Sequence, residues 1–140
     1  MSHNVYSYDV VIIILAHSGV SQPKAWEMWY NSAKDDVKKT VTLMVHSPDK
    51  YQTDKNSFES KYSINRFNSG SKIIFEETEW CNISIVYETY KAFQKAYEHM
   101  KNKNFSMYYL VSGACLPIKP VENLLMREYG SSIYFIDKCS

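Results

Sequence analysis

The chain is predicted to fold as an α/β protein, a three-layer sandwich whose mostly parallel sheet carries helices on both faces. Three observations predict it. Short runs rich in Val, Ile and Leu or aromatics fall at residues 9–16, 40–45 and 107–111, the pattern of strands buried on both faces. Segments with helical apolar spacing separate them and are long enough for parallel crossovers. Each run also breaks abruptly into small or polar residues, as strands do where they reach an exposed edge. With 140 residues, one domain spanning 1–140 is expected to bury a sizeable core.

The elements follow in order. Residues 1–8 are a polar lead-in, and residues 9–16 form the first strand. Ser21-Gln22-Pro23 opens a helix with Pro23 near its first position, where a missing N–H costs nothing. Trp26, Met28, Trp29, Tyr30 and Ala33 line that helix, with the tryptophans packed against the sheet and Trp29 and Tyr30 partly exposed. Lys34-Asp35-Asp36 closes it. A β-branched strand at 40–45 follows and ends in His46-Ser47-Pro48-Asp49. Residues 50–70 read as a long polar, mobile connection with a short helix around 58–62. A third strand is expected at 72–75. Asn82 or Ser84 then caps a long helix whose apolar stripe runs Ile83, Val86, Tyr87, Tyr90, Phe93, Ala96, Tyr97 and Met100, at three- and four-residue spacing. Glu88, Lys91, Lys95 and Glu98 lie mostly off that stripe. A strand at 107–111, a helix at 121–129 and a last strand at 132–136 complete the chain.

The bulk numbers exclude several classes. A net charge of +1 provides no global field for nucleic acid or an anionic membrane. The most apolar stretch, 10–16, has the length of a strand and cannot span a bilayer. Asp9 ahead of it argues against a signal peptide. A soluble protein is expected, with the cytoplasm favoured. Cys81, Cys115 and Cys139 suit free thiols, since their wide spacing matches neither a zinc site nor a disulfide framework. Asn82-Ile83-Ser84 and Asn104-Phe105-Ser106 match the glycosylation pattern, which matters only in the secretory pathway.

In a parallel sheet the carboxyl ends of the strands gather at one edge, which places four segments together: Ala16-His17-Ser18-Gly19, His46-Ser47-Pro48-Asp49, Glu77-Thr78-Glu79-Trp80 and Ser112-Gly113-Ala114-Cys115. Such an edge suits a polar pocket for a nucleotide-sized ligand. At the level of single residues two readings stay open. His17 and His46 are hydrogen-bonding groups or metal ligands on one reading, and ordinary strand-end histidines on the other. Asp49 suits a ribose or base edge, or plain turn chemistry. Glu76, Glu77 and Glu79 supply a general base or favour the positive end of the following helix. Trp80 stacks on a sugar or base, or packs in the core. Cys115 lacks the partners of a catalytic thiol. There is no Gly-x-Gly-x-x-Gly or Walker loop, no Gly-x-Ser-x-Gly elbow, and no Asp-x-Asp pair of the kind that holds a cation in many sugar-nucleotide transferases.

Taken together, Ile13-Ile14-Leu15-Ala16-His17, Pro23-Lys24-Ala25-Trp26, Met44-Val45-His46-Ser47-Pro48-Asp49, Glu79-Trp80-Cys81-Asn82-Ile83-Ser84-Ile85-Val86 and Leu110-Val111-Ser112-Gly113-Ala114-Cys115-Leu116-Pro117-Ile118 resemble the core-2/I-branching β-1,6-N-acetylglucosaminyltransferase family, glycosyltransferase family 14. The resemblance implies the nucleotide-sugar half of a GT-A (Rossmann-like) fold. It also implies metal-independent, inverting transfer of N-acetylglucosamine from UDP-N-acetylglucosamine to a glycan acceptor. By position, Ala16, His17, His46, Asp49, Trp80, Ser112 and Gly113 would line the UDP-sugar site. Family domains are longer, and their catalytic glutamate and diphosphate-neutralising basic residues lie beyond the position matching Ser140. The domain is therefore expected to be truncated relative to the family's, with no catalytic base assigned, and to need a partner or further chain to complete the site. A UDP- or UDP-sugar-binding or interaction module without catalysis is the alternative. Relatives sit behind a membrane anchor in the secretory pathway.

Overall fold

The computed structural model describes residues 8–67, 72–76, 78, 82–103 and 105–122. Among them three parallel strands, β1 (Tyr8–Leu15), β2 (Val41–His46) and β3 (Phe105–Ser112), form an open sheet in the order β2-β1-β3. The register aligns Leu15 with His46 on one side and with Ser112 on the other. All three strands consequently end at the same level. The α/β expectation holds at this coarse level.

Handedness explains where the helices lie. The chain moves from β1 to β2 in one direction across the sheet, then from β2 past β1 to β3 in the other. Right-handed crossovers running in opposite directions place their helices on opposite faces. On one face α1 (Pro23–Asn31), α2 (Asp35–Lys38) and α3 (Phe58–Lys61) bury Trp26, Val37 and Phe58 against Val10, Ile12, Ile14, Leu43 and Val45. On the other, α4 (Ile83–Met100) buries Ala92, Ala96 and Met100 against Val11, Ile13 and Met44. Covering both faces is what the unbroken Val and Ile run of β1 requires, because every second residue of a strand points the opposite way.

Pro23 stands in the first turn of α1 as expected, and the Ser21 hydroxyl ahead of it donates to the Gly113 carbonyl. Lys34-Asp35-Asp36 leads into the short α2 rather than only closing α1. Asn82 caps α4, its Oδ1 accepting from the Ser84 N–H at 3.0 Å.

Three expectations are corrected. Residues 72–75 lack the ladder of a third strand. The outer edge of β2 is already engaged there, with the Val45 N–H donating to the Tyr62 carbonyl at 2.7 Å. The Asn65 side chain acts as a strand neighbour in its place, accepting from the Ile73 N–H at 2.7 Å and donating to the Ile73 carbonyl at 3.2 Å. The connection read as a mobile loop keeps its expected short helix as α3, but it is otherwise more structured than expected, with two 3-10 turns, Asp49–Tyr51 and Ile64–Arg66, and with Phe58 and Ile64 buried. Lastly, the apolar stripe of α4 is divided: Ala96 and Met100 are buried, whereas Ile83, Val86, Tyr87, Tyr90 and Tyr97 are exposed, and Glu88 and Lys95 are buried in their place. Alanines at 92 and 96 let the helix approach β1 closely, which decides the face.

The expected strand at 132–136 and the body of the helix at 121–129 lie outside the described residues, as do Glu77, Glu79, Trp80, Cys81 and Cys139. Among the described residues no helix is long and apolar enough to cross a membrane.

Candidate functional site

The level strand ends bring three of the four predicted segments side by side. The Ala16 N–H donates to the His46 carbonyl at 3.0 Å, and the Gly113 N–H donates to the Leu15 carbonyl at 2.9 Å. From the fourth segment Thr78 reaches this edge, its Oγ1 lying 2.8 Å from His17 Nδ1. Between β1 and β3 the two crossovers part to opposite faces, the switch point at which open α/β sheets bind ligands.

Gly113 is the tightest position at this edge. A Cβ there would lie 2.5 Å from the Gly19 carbonyl oxygen and 3.0 Å from Ala16 Cα. The loops after β1 and β3 thus touch through main chain. Gly113 also accepts from both the N–H (2.9 Å) and the hydroxyl (3.2 Å) of Ser21. Gly19 turns the chain at φ 83°, a left-handed conformation suited to glycine, with the Tyr51 ring against it. Further along, Trp26 Nε1 donates to the Cys115 carbonyl at 3.2 Å, and Trp29 Nε1 donates to the Lys119 carbonyl. The tryptophans of α1 pack as expected, with Trp26 buried and edge-on to Trp29. Their indole N–H groups also hold the segment after β3, a role that composition gives no hint of.

Six of the seven predicted site residues lie among the described residues. Ala16 and Gly113 are buried and shape the edge through their backbone. His17, Asp49 and Ser112 are exposed. Asp49 begins a 3-10 turn and pairs with Lys72 at 3.0 Å, an exposed ion pair worth about 0.2–1 kcal/mol and easily exchanged for another partner. Ser112 Oγ accepts from the Ala114 N–H at 3.3 Å and lies 3.5 Å from Cys115 Sγ. Cys115 is a free, exposed thiol. Trp80 lies outside the described residues.

His46 is placed differently from a ligand-lining group. It is buried, with Nε2 2.8 Å from Glu88 Oε2 of α4 and its ring centroid 4.7 Å from that of Phe75. Glu88, equally buried, also meets Lys91 Nζ at 3.4 Å, and Lys91 reaches Glu76 at 3.5 Å. Burial pushes the His46 imidazole below its ordinary value of 6.5; the hydrogen bond and charge of Glu88 oppose this, and Lys91 adds to it. His46 Nε2 thus meets the Glu88 carboxyl in a buried setting that lowers the imidazole's affinity for a second proton. Glu88 escapes a reading of sequence because it sits off the apolar stripe. Its one available cue is its place on a helix that must cross the end of β2.

Among the described residues no cluster of His, Cys, Asp and Glu is arranged to hold a metal ion. No family model, curated protein or solved structure matches this chain. The functional reading accordingly stands on the edge itself and on the motifs that lie along it.

Proposed function

We propose that the carboxyl edge of the sheet is a nucleotide-sugar site, with UDP-N-acetylglucosamine as donor and a glycan as acceptor. One observation supports this above the others: the β2-β1-β3 order with helices on opposite faces creates a switch point between β1 and β3. Four of the motifs that resemble glycosyltransferase family 14 run into this edge or flank it. There Asp49 offers a carboxylate to ribose or base N–H and O–H donors, and His17 and Ser112 offer exposed polar groups at the β1 and β3 ends. In the metal-independent transfer implied by the resemblance, an acceptor hydroxyl attacks the anomeric carbon. UDP then departs with the bonding pair, the configuration inverts, and a base takes the hydroxyl proton. That base is assigned to no residue of this chain.

Titration with UDP and UDP-N-acetylglucosamine, followed by calorimetry, tests the site. Binding that Asp49→Ala or His17→Ala weakens about tenfold, a loss of about 1.4 kcal/mol, supports the reading, provided both variants melt as the parent does. Absence of binding by either nucleotide overturns it.

Binding without transfer is the second reading. It is favoured by the sequestration of Glu88, whose carboxylate is committed to His46 and Lys91 rather than presented at the edge. Release of labelled UDP or a glycosylated product by this chain alone would exclude it.

A further inference from the structure

The outward side of α4 is apolar where a solvated helix is expected to be polar. Ile83 is 77% exposed, Val86 63%, Tyr87 53%, Tyr90 59% and Tyr97 59%. Ile83, Val86, Tyr87 and Tyr90 form a stripe at three- and four-residue spacing, and Tyr97 extends it two turns further on, past Gln94. Ile83, Tyr90 and Tyr97 recur every seven residues, with Val86 and Tyr87 between them, and the stripe lies opposite the Ala92 and Ala96 face packed on the sheet. A helix with apolar residues on both sides normally has both sides covered. Tyr87 and Tyr90 also make contacts with their own helix. Lys91 Nζ sits 4.4 Å from the centroid of the Tyr87 ring, and Gln94 Nε2 donates to the Tyr90 hydroxyl at 3.2 Å. Rings restrained in this way before contact lose less entropy on binding, and tyrosine is favoured at the centres of protein interfaces.

We propose that this face is a homodimer interface, in which α4 packs antiparallel against α4 of a second copy about a two-fold axis near Tyr90. The spacing selects this occupant. Positions 83 and 97 are equidistant from 90, so the axis sets Ile83 against the partner's Tyr97 and Tyr90 beside its own copy. A surface patterned this way is complementary to itself, as an isologous contact requires. Charge agrees with the pairing. The first turn of α4 contains no acidic residue, and the same axis brings Glu98 abreast of the partner's Asn82, at the positive end of that helix. The five side chains expose roughly 600 Å² per chain, so a pair could cover at most roughly 1,200 Å², which just reaches the lower bound for a specific interface.

Light scattering and sedimentation equilibrium on the intact chain test this directly. The parent is expected at twice the 16.4 kDa chain mass, dissociating on dilution. Val86→Glu/Tyr90→Glu should run at the single-chain mass with the far-UV circular dichroism and melting of the parent. Tyr97→Glu, one exposed change at the far end of the helix, should weaken the dimer at least about tenfold without touching the first turns of α4. Ile118→Glu, at a residue 84% exposed elsewhere on the surface, should leave the dimer intact. A parent that is monomeric at every concentration overturns the proposal, whether other residues of the chain or a different protein cover the stripe. A dimer that persists in both α4 variants overturns it equally, since the contact then lies on another surface.

Discussion

At the scale of single residues, His46 and Glu88 carry the clearest energetic consequences. Both side chains are 1% exposed, and each is the other's partner. Removing Glu88 leaves the His46 imidazole buried without this hydrogen bond, a loss usually larger than the net worth of the pair; removing His46 still leaves Glu88 its contact with Lys91. Glu88→Ala is expected to lower unfolding stability by about 3 kcal/mol in urea titrations. Glu88→Gln keeps an acceptor oxygen for the imidazole and should lose about 1 kcal/mol. Equal losses for the two would show that volume, not the hydrogen bond, matters at this position. The same imidazole sets a pH dependence. Because burial lowers its affinity for protons, the unfolded chain binds more protons below about 6.5, the ordinary value. The contribution of His46 is thus complete above that pH and is lost as the pH falls toward its lower folded value. Melting temperatures of the parent and of His46→Gln, measured from about pH 8 to about pH 5, should converge toward the acid end. Curves that stay parallel would remove His46 as the source.

Among the elements, the turn after β3 depends on a single missing side chain. Gly113 lies too close to the Gly19 carbonyl and to Ala16 to admit a Cβ, and both of those neighbours are main chain that shifts only with the loop after β1. Gly113→Ala is expected to cost about 2 kcal/mol, read from denaturant midpoints, and to loosen both loops at the proposed site. A neutral substitution would mean that the loops separate freely. The turn itself was legible in Ser112-Gly113-Ala114-Cys115, as a strand breaking into small residues. Its partner Ser21 was not. Ser21-Gln22-Pro23 reads as a helix start, and only the fold brings Ser21 to Gly113, 92 positions away in the chain. The third strand expected at 72–75 failed for a similar reason. Ile73, Ile74 and Phe75 have the right composition, but Tyr62 had already engaged the edge of β2 at Val45.

For the whole molecule, ligand binding at the proposed edge would be coupled to stability. Loops from β1, β2 and β3 come together only in the folded chain, so a ligand at that edge binds the native state alone. Saturation with UDP at a hundred times its dissociation constant should raise stability by about 2.7 kcal/mol, measured as a thermal shift that uridine alone reproduces less fully. The α/β class, the parallel order and the gathering of polar segments at one edge were all determined by sequence. Strand periodicity, crossover length and handedness are local or near-local rules. Tertiary structure decided what those rules do not reach: which face of α4 meets the sheet, that His46 turns inward to Glu88, and that the indoles of α1 hold the segment after β3. The apolar residues of α4 exceed what one face of a sheet can bury. Close packing through Ala92 and Ala96 chose among them and left five large side chains outside.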